Sequence, residues 1–115
     1  MSSTTASKLH LKDSPTLADI QAYVKEMGQE RGFTEQTVAE SCILLGEEIG
    51  ELFKVVRKYH TSMQIDKSKV YELDAAAEIA DIIIVLTCIA NQMGVDMEAA
   101  FRDKEEQNKQ RDWEK

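Results

Sequence analysis

A chain of 115 residues suits a single domain whose own core is small, so that packing against a second copy is a ready way to bury more surface. With 43% hydrophobic and 30% charged residues, one Pro and 6% aromatics, the composition excludes a disordered chain and argues against a turn-rich all-β fold. Twenty-one acids against 14 bases give a net charge of −7, which disfavours a nucleic-acid polymer or an anionic membrane as partner and suits a site that takes a cation first and an anionic substrate second.

Residues 1–13 are rich in Ser and Thr with scattered charge and read as a flexible N-terminal arm, leaving 14–115 as one helical domain. The first helix is expected to open at Ser14 and Pro15, a capping hydroxyl followed by a residue whose missing N–H is no loss in the first turn. Leu17, Ile20, Val24 and Met27 then recur at spacings of three and four, and Gly28 and Gly32 mark the end. For the second helix Thr34 is the expected cap, with Phe33 and Val38 as a hydrophobic staple. Val38, Cys42, Leu45, Ile49, Leu52, Val56 and Tyr59 form a bundle seam that carries the helix to about His60. A polar loop over 61–68 leads to a third helix from about Lys69 to Met93, capped near Gly94, and Asp96 caps a fourth that runs toward Lys115. The class is therefore all-α, a four-helix bundle.

Ile82 to Leu86 is apolar on every side, so that segment is expected to be buried all round. One small bundle cannot cover it, which predicts a homo-oligomer, a dimer or a dimer of dimers. The longest apolar run, Ile82 to Ala90, is too short to span a bilayer, and the polar N-terminus has no leader pattern. Cys42 and Cys88 lie in apolar helical contexts without metal-ligand spacing and read as two buried thiols of a cytoplasmic protein.

Two acidic stretches carry the chemistry. Glu47, Glu48 and Glu51 spread over a roughly 100° arc of the second helix, with Glu48 nearest the apolar stripe. Glu78 and Asp81 lie about 60° apart on the third, beside Ala75, Ile79, Ile82, Leu86 and Ile89. Packed together, the two helices bring four or five carboxylates to one seam edge, where like charges repel unless a cation neutralises them. An all-oxygen donor set fits Mg²⁺ or Mn²⁺, whereas zinc lacks His or Cys ligands here and redox iron lacks the Glu-x-x-His spacing. Either acidic pair alone is an ordinary solvated helix face; the conjunction points to a metal. On the fourth helix Lys104, Asn108 and Arg111 fall at i, i+4 and i+7, one face suited to phosphate oxygens, although interleaved acids also permit a merely solvated tail.

These motifs, EExxE at Glu47–Glu51, ExxD at Glu78–Asp81 and the C-terminal Lys-x3-Asn-x2-Arg, resemble those of the MazG-like nucleotide pyrophosphohydrolases, within the all-α NTP pyrophosphatase superfamily. The similarity runs from about Thr16 to Arg111. It implies Mg²⁺-dependent hydrolysis of an NTP or dNTP to the monophosphate and pyrophosphate, a nucleotide-pool house-cleaning activity, in an oligomer of four-helix chains. Carried over by position, Glu48, Glu51, Glu78 and Asp81 would be metal ligands, Glu47 a further ligand or the group that orients and deprotonates the water, and Lys104, Asn108 and Arg111 the phosphate contacts. Val85 stands where many relatives carry a Tyr, so the candidates for base contact are Phe33 and Tyr23, with Tyr59 behind them. A phosphoribosyl-ATP pyrophosphohydrolase or dUTPase-like enzyme shares the chemistry. A catalytically silent helical interaction oligomer is the alternative of another class.

Overall fold

The computed structural model describes residues 6–66 and 74–113. Among them the regular structure is helical throughout: α1 (Leu17–Arg31), a short 3-10 turn (Phe33–Glu35), α2 (Val38–His60), α3 (Ala75–Gln92) and α4 (Met97–Lys109). All four predicted helices are present, but three of their eight ends differ from expectation for identifiable reasons, and a fourth, the start of α3, differs in part.

α1 starts at Thr16, not Ser14. The Thr16 hydroxyl accepts from the Asp19 N–H at 3.1 Å while the Asp19 carboxylate accepts from the Thr16 N–H at 2.8 Å. That reciprocal box satisfies two orphan donors, which a lone Ser14 hydroxyl cannot. Ser14 instead takes a left-handed φ of 49° before Pro15. The same rule moves the start of α2 from Thr34 to Thr37. Thr37 has Glu40 three residues on, and their reciprocal bonds measure 3.1 and 2.9 Å. Thr34 has only Thr37 at that spacing, and it lies within the 3-10 turn. At the other end of α1, Gly32 adopts φ 77° and returns its N–H to the Gly28 carbonyl; only a residue without Cβ enters that region cheaply.

α3 begins at Ala75 behind Asp74, whose carboxylate accepts from the Ala76 and Ala77 N–H groups. The expected start at Lys69 falls outside the described residues. At 18 residues and mean hydropathy 1.5, α3 is by length and composition long and apolar enough to cross a membrane, more than its Ile82–Ala90 run alone suggested. It nevertheless packs along α2 and against α1. α4 begins at Asp96 as expected and ends at Lys109, so Arg111 lies past the last helical turn.

The main packing order is α2–α3–α1–α4. Among the described residues, Val24 and Met27 of α1, Val55 of α2 and Ile89 and Ala90 of α3 are the buried apolar side chains. Three hydrogen bonds fix the α3–α4 corner on α1: Gln21 donates to the Asn91 Oδ1 (3.1 Å) and the Val95 carbonyl (2.8 Å), and Asn91 donates back to the Gln21 carbonyl (3.0 Å). Ser7 and Lys12, from the stretch read as an arm, also reach α1, at Glu30 and Asp19.

The covered face of α2 overlaps the expected seam but leans to one side of it. Ser41 and Val55 are its buried residues, Leu44 and Glu48 are half-buried beside the expected Val38, Leu45, Ile49 and Leu52, and Cys42, Val56 and Tyr59 are exposed. α2 carries apolar residues on most of its circumference, including exposed Ile43 and Phe53, so periodicity alone does not select the face that α3 covers. Within one chain the Ile82–Leu86 segment is not covered on every side: Ile83 and Leu86 are 46% and 45% exposed, which leaves its expected full burial to a second copy. Cys42 is an exposed thiol, not a buried one, while Cys88 is half-buried and its pKa is pushed up by that burial.

Candidate metal centre and adjoining cavity

The packing of α2 on α3 brings Glu48, Glu78 and Asp81 together, each offering a carboxylate oxygen within 4.8 Å of the other two. Glu48 comes from the covered face of α2, two turns beyond Ser41. Glu78 and Asp81 come from the first two turns of α3, just after the Asp74 cap. Glu48 and Glu78 are half-buried and Asp81 is exposed. Burial first, then the charges of Asp81, Glu78, Glu51 and Glu47, raise the Glu48 pKa above the ordinary carboxylate value. A carboxylate under that pressure is one that a cation would relieve. The donors are oxygen only, at close quarters and partly open to solvent, which fits a hard divalent cation.

Two of the expected acids stand apart from this trio. Glu51 pairs with Lys54 at 3.2 Å. Glu47 is exposed at the outer edge of the helix. The Lys54 pair is between solvated groups, so it holds Glu51 only weakly.

A cavity of about 270 Å³ opens beside the trio, lined by Glu48 and Asp81 at one end and by Phe33, Gln36, Ser41 and Cys88 farther on. A second, of about 310 Å³, shares those last four residues and continues to Lys25, Asn91 and Gln92 without reaching the carboxylates. The smaller one is therefore the one that reaches the carboxylates, and the larger extends it. Phe33 lines both, as a base-contacting residue should; Tyr23 is half-buried and lines neither.

Lys104, Asn108 and Arg111 line neither cavity. Lys104 and Asn108 share a face of α4, but the Arg111 guanidinium stacks on Trp113, 4.5 Å from the ring centroid. Trp113 in turn donates its Nε1–H to the Asn108 carbonyl at 2.8 Å. The cation that does line the carboxylate-bearing cavity is Arg31, in the last turn of α1. Sequence reading missed Arg31 because it looks like an ordinary cation at a helix C-terminus. It missed Ser41 because a small polar residue beside an apolar stripe carries no signal by itself.

The family described as the MazG nucleotide pyrophosphohydrolase domain matches residues 33–113. A dATP/dGTP diphosphohydrolase of Salmonella phage PMBT28 is 28% identical over 113 residues, 98% of this chain. The chain spans only about a third of that relative's length, 33%. The crystal structure of YPJD from Bacillus subtilis, described as a candidate pyrophosphatase, superposes with a TM-score of 0.70 at 27% identity, covering 88% of this chain and 100% of that one. The family match takes in α2, α3 and α4 with both acidic stretches, and the chain belongs to the family of MazG nucleotide pyrophosphohydrolase domains.

Proposed function

We propose that the chain hydrolyses a nucleoside triphosphate to its monophosphate and pyrophosphate, with Mg²⁺ held by Glu48, Glu78 and Asp81. The observation that carries this reading is the carboxylate trio opening onto a cavity with an aromatic wall. Glu51 would join the ligands by leaving Lys54, a move that sacrifices only a weak solvated pair. Bound there, a divalent cation supplies neutralisation of the triphosphate charge and lowers the pKa of water in its shell. The chain's own groups do the rest. Glu47, exposed next to Glu48 on α2 and outside the trio, would have to turn toward the site to take the proton from a water attacking the α-phosphorus, so that pyrophosphate leaves as a unit. Arg31 faces the same cavity and would hold a phosphate oxygen. Phe33 would pack on the base.

The exposed apolar side chains of α2 and α3, Phe53 and Ile83 among them, support a homo-oligomer in which a second copy covers these faces. Lys104, Asn108 and Arg111 lie outside both cavities, so a phosphate role for them would require a second copy that brings α4 to the carboxylates. The phage relative makes dATP and dGTP the first substrates to test. Pyrophosphate release from a panel of ribo- and deoxyribonucleoside triphosphates with millimolar Mg²⁺ is the experiment. The expected result is turnover of at least one nucleotide that Asp81→Asn abolishes in a folded protein. Absence of turnover across the panel would refute the assignment.

A further inference from the structure

We infer that the Ser41 hydroxyl is a base-reading group: it hydrogen-bonds the polar edge of the nucleobase whose phosphates meet the carboxylate trio. This rests on the nucleotide reading above and adds a specificity residue to it. Ser41 is 1% exposed, and its Oγ has no hydrogen-bond partner among the described residues. The position offers an easy alternative. A helical Ser or Thr commonly returns its hydroxyl to the carbonyl four residues back. Thr87, fully buried on α3, does this with the Ile83 carbonyl at 2.6 Å. Ser41 does not, although its own N–H bonds the Thr37 carbonyl at 3.0 Å.

A buried hydroxyl without a partner is costly, and such groups mark places where something else supplies the bond. The surroundings say what. Ser41 lines both cavities, at the junction where Phe33 forms an aromatic wall. The neighbouring amide of Asn91 is engaged by Gln21. Ser41 and Glu48 lie seven residues apart on one helix, about 10 Å along its axis. A ligand whose phosphate end sits at Glu48 and Asp81 therefore reaches Ser41 with the end remote from phosphate, flat against Phe33. In a nucleotide that end is the base. A hydroxyl both donates and accepts, so it can serve either kind of polar atom on the base edge.

The test uses Ser41→Ala, with Ser41→Cys read in the same way should the alanine variant not fold. Binding of dAMP, dGMP, dCMP, dTMP and base-free deoxyribose 5-phosphate is measured by calorimetry, alongside thermal unfolding of the ligand-free protein. The inference predicts that the substitution weakens the best-bound monophosphate about tenfold to a hundredfold, narrows the spread among the four bases and leaves the base-free compound unaffected. It also predicts a midpoint that is unchanged or higher without ligand, because an unpaired hydroxyl has been removed. The same base ranking in variant and wild type would overturn it. So would a lowered midpoint with unchanged affinities, which marks Ser41 as a structural group satisfied by water, or a wild type that binds no monophosphate better than the base-free compound. Failure of the hydrolytic reading is distinguishable: the wild type then discriminates bases through Ser41 yet releases no pyrophosphate.

Discussion

Replacing Glu48 by Gln should stabilise the metal-free protein. The three carboxylates lie within 4.8 Å of one another. Two unit charges at that separation repel by about 1 kcal/mol in a water-like dielectric, a lower bound because Glu48 and Glu78 are half-buried and only Asp81 is exposed. Glu48 takes part in two of the three pairs, so its neutralisation relieves about 2 kcal/mol at low salt. For a domain of this size that is a rise of about 8 °C in Tm. The pH dependence follows from the sign of the shift. A carboxyl whose pKa is raised in the folded state binds its proton more tightly there than in the unfolded chain. The penalty is absent below the unfolded value, develops as pH rises from there through the raised folded value, and is complete above it. Asp19 and Glu40, whose pKa values are lowered by their capping bonds, push stability the other way in both proteins, so the signature is the difference: the gain of Glu48→Gln over wild type in chelator should grow across that window. Calorimetric or fluorescence melts from pH 3.5 to 8, at low and at about 1 M salt, measure this. The gain should shrink at high salt, where the Debye length is about 3 Å. A Tm for Glu48→Gln at or below wild type at low salt and neutral pH would refute the repulsion argument.

Thr37→Ala should cost about 1 kcal/mol in urea unfolding and Thr34→Ala far less, since only Thr37 forms a capping box. Equal losses would return the helix start to Thr34. Met27→Ala, which empties part of the core between the helices, should cost about 2–5 kcal/mol in the same assay. Ile83→Glu should lower the association state seen by sedimentation if a second copy covers the exposed face of α3; a wild type that sediments as a monomer contradicts the proposed assembly.

Much of the fold is legible in the amino-acid order because it depends on local rules. Helix content follows from periodicity, and Asp96, Gly32 and His60 bound their helices where expected. The helix starts at Thr16 and Thr37 were also readable, since each has an acid three residues on, a pairing that decides between competing hydroxyls. What the order of residues does not encode is which of two apolar faces on α2 is covered, because burial is decided by α3 and by whatever lies beyond it. The site divides in the same way. Glu48, Glu78 and Asp81 were identifiable as a conjunction of two acidic pairs, and the packing of α2 on α3 joins them. Arg31 enters from α1, which contributes no motif, and Ser41 is visible only as a buried oxygen without a partner. Lys104, Asn108 and Arg111 looked like one face because the helix was expected to continue; it ends at Lys109, and Trp113 takes the Arg111 side chain.

The central claim is that the trio holds a divalent cation, and Mn²⁺ binding followed by electron paramagnetic resonance tests it without requiring turnover. Wild-type protein should bind Mn²⁺ in competition with Mg²⁺, and Asp81→Asn, substituted at the most exposed member of the trio, should lose that binding while keeping its helical content. Mn²⁺ bound equally well by Asp81→Asn, or not bound by wild type at millimolar concentration with nucleotide present, would contradict the account.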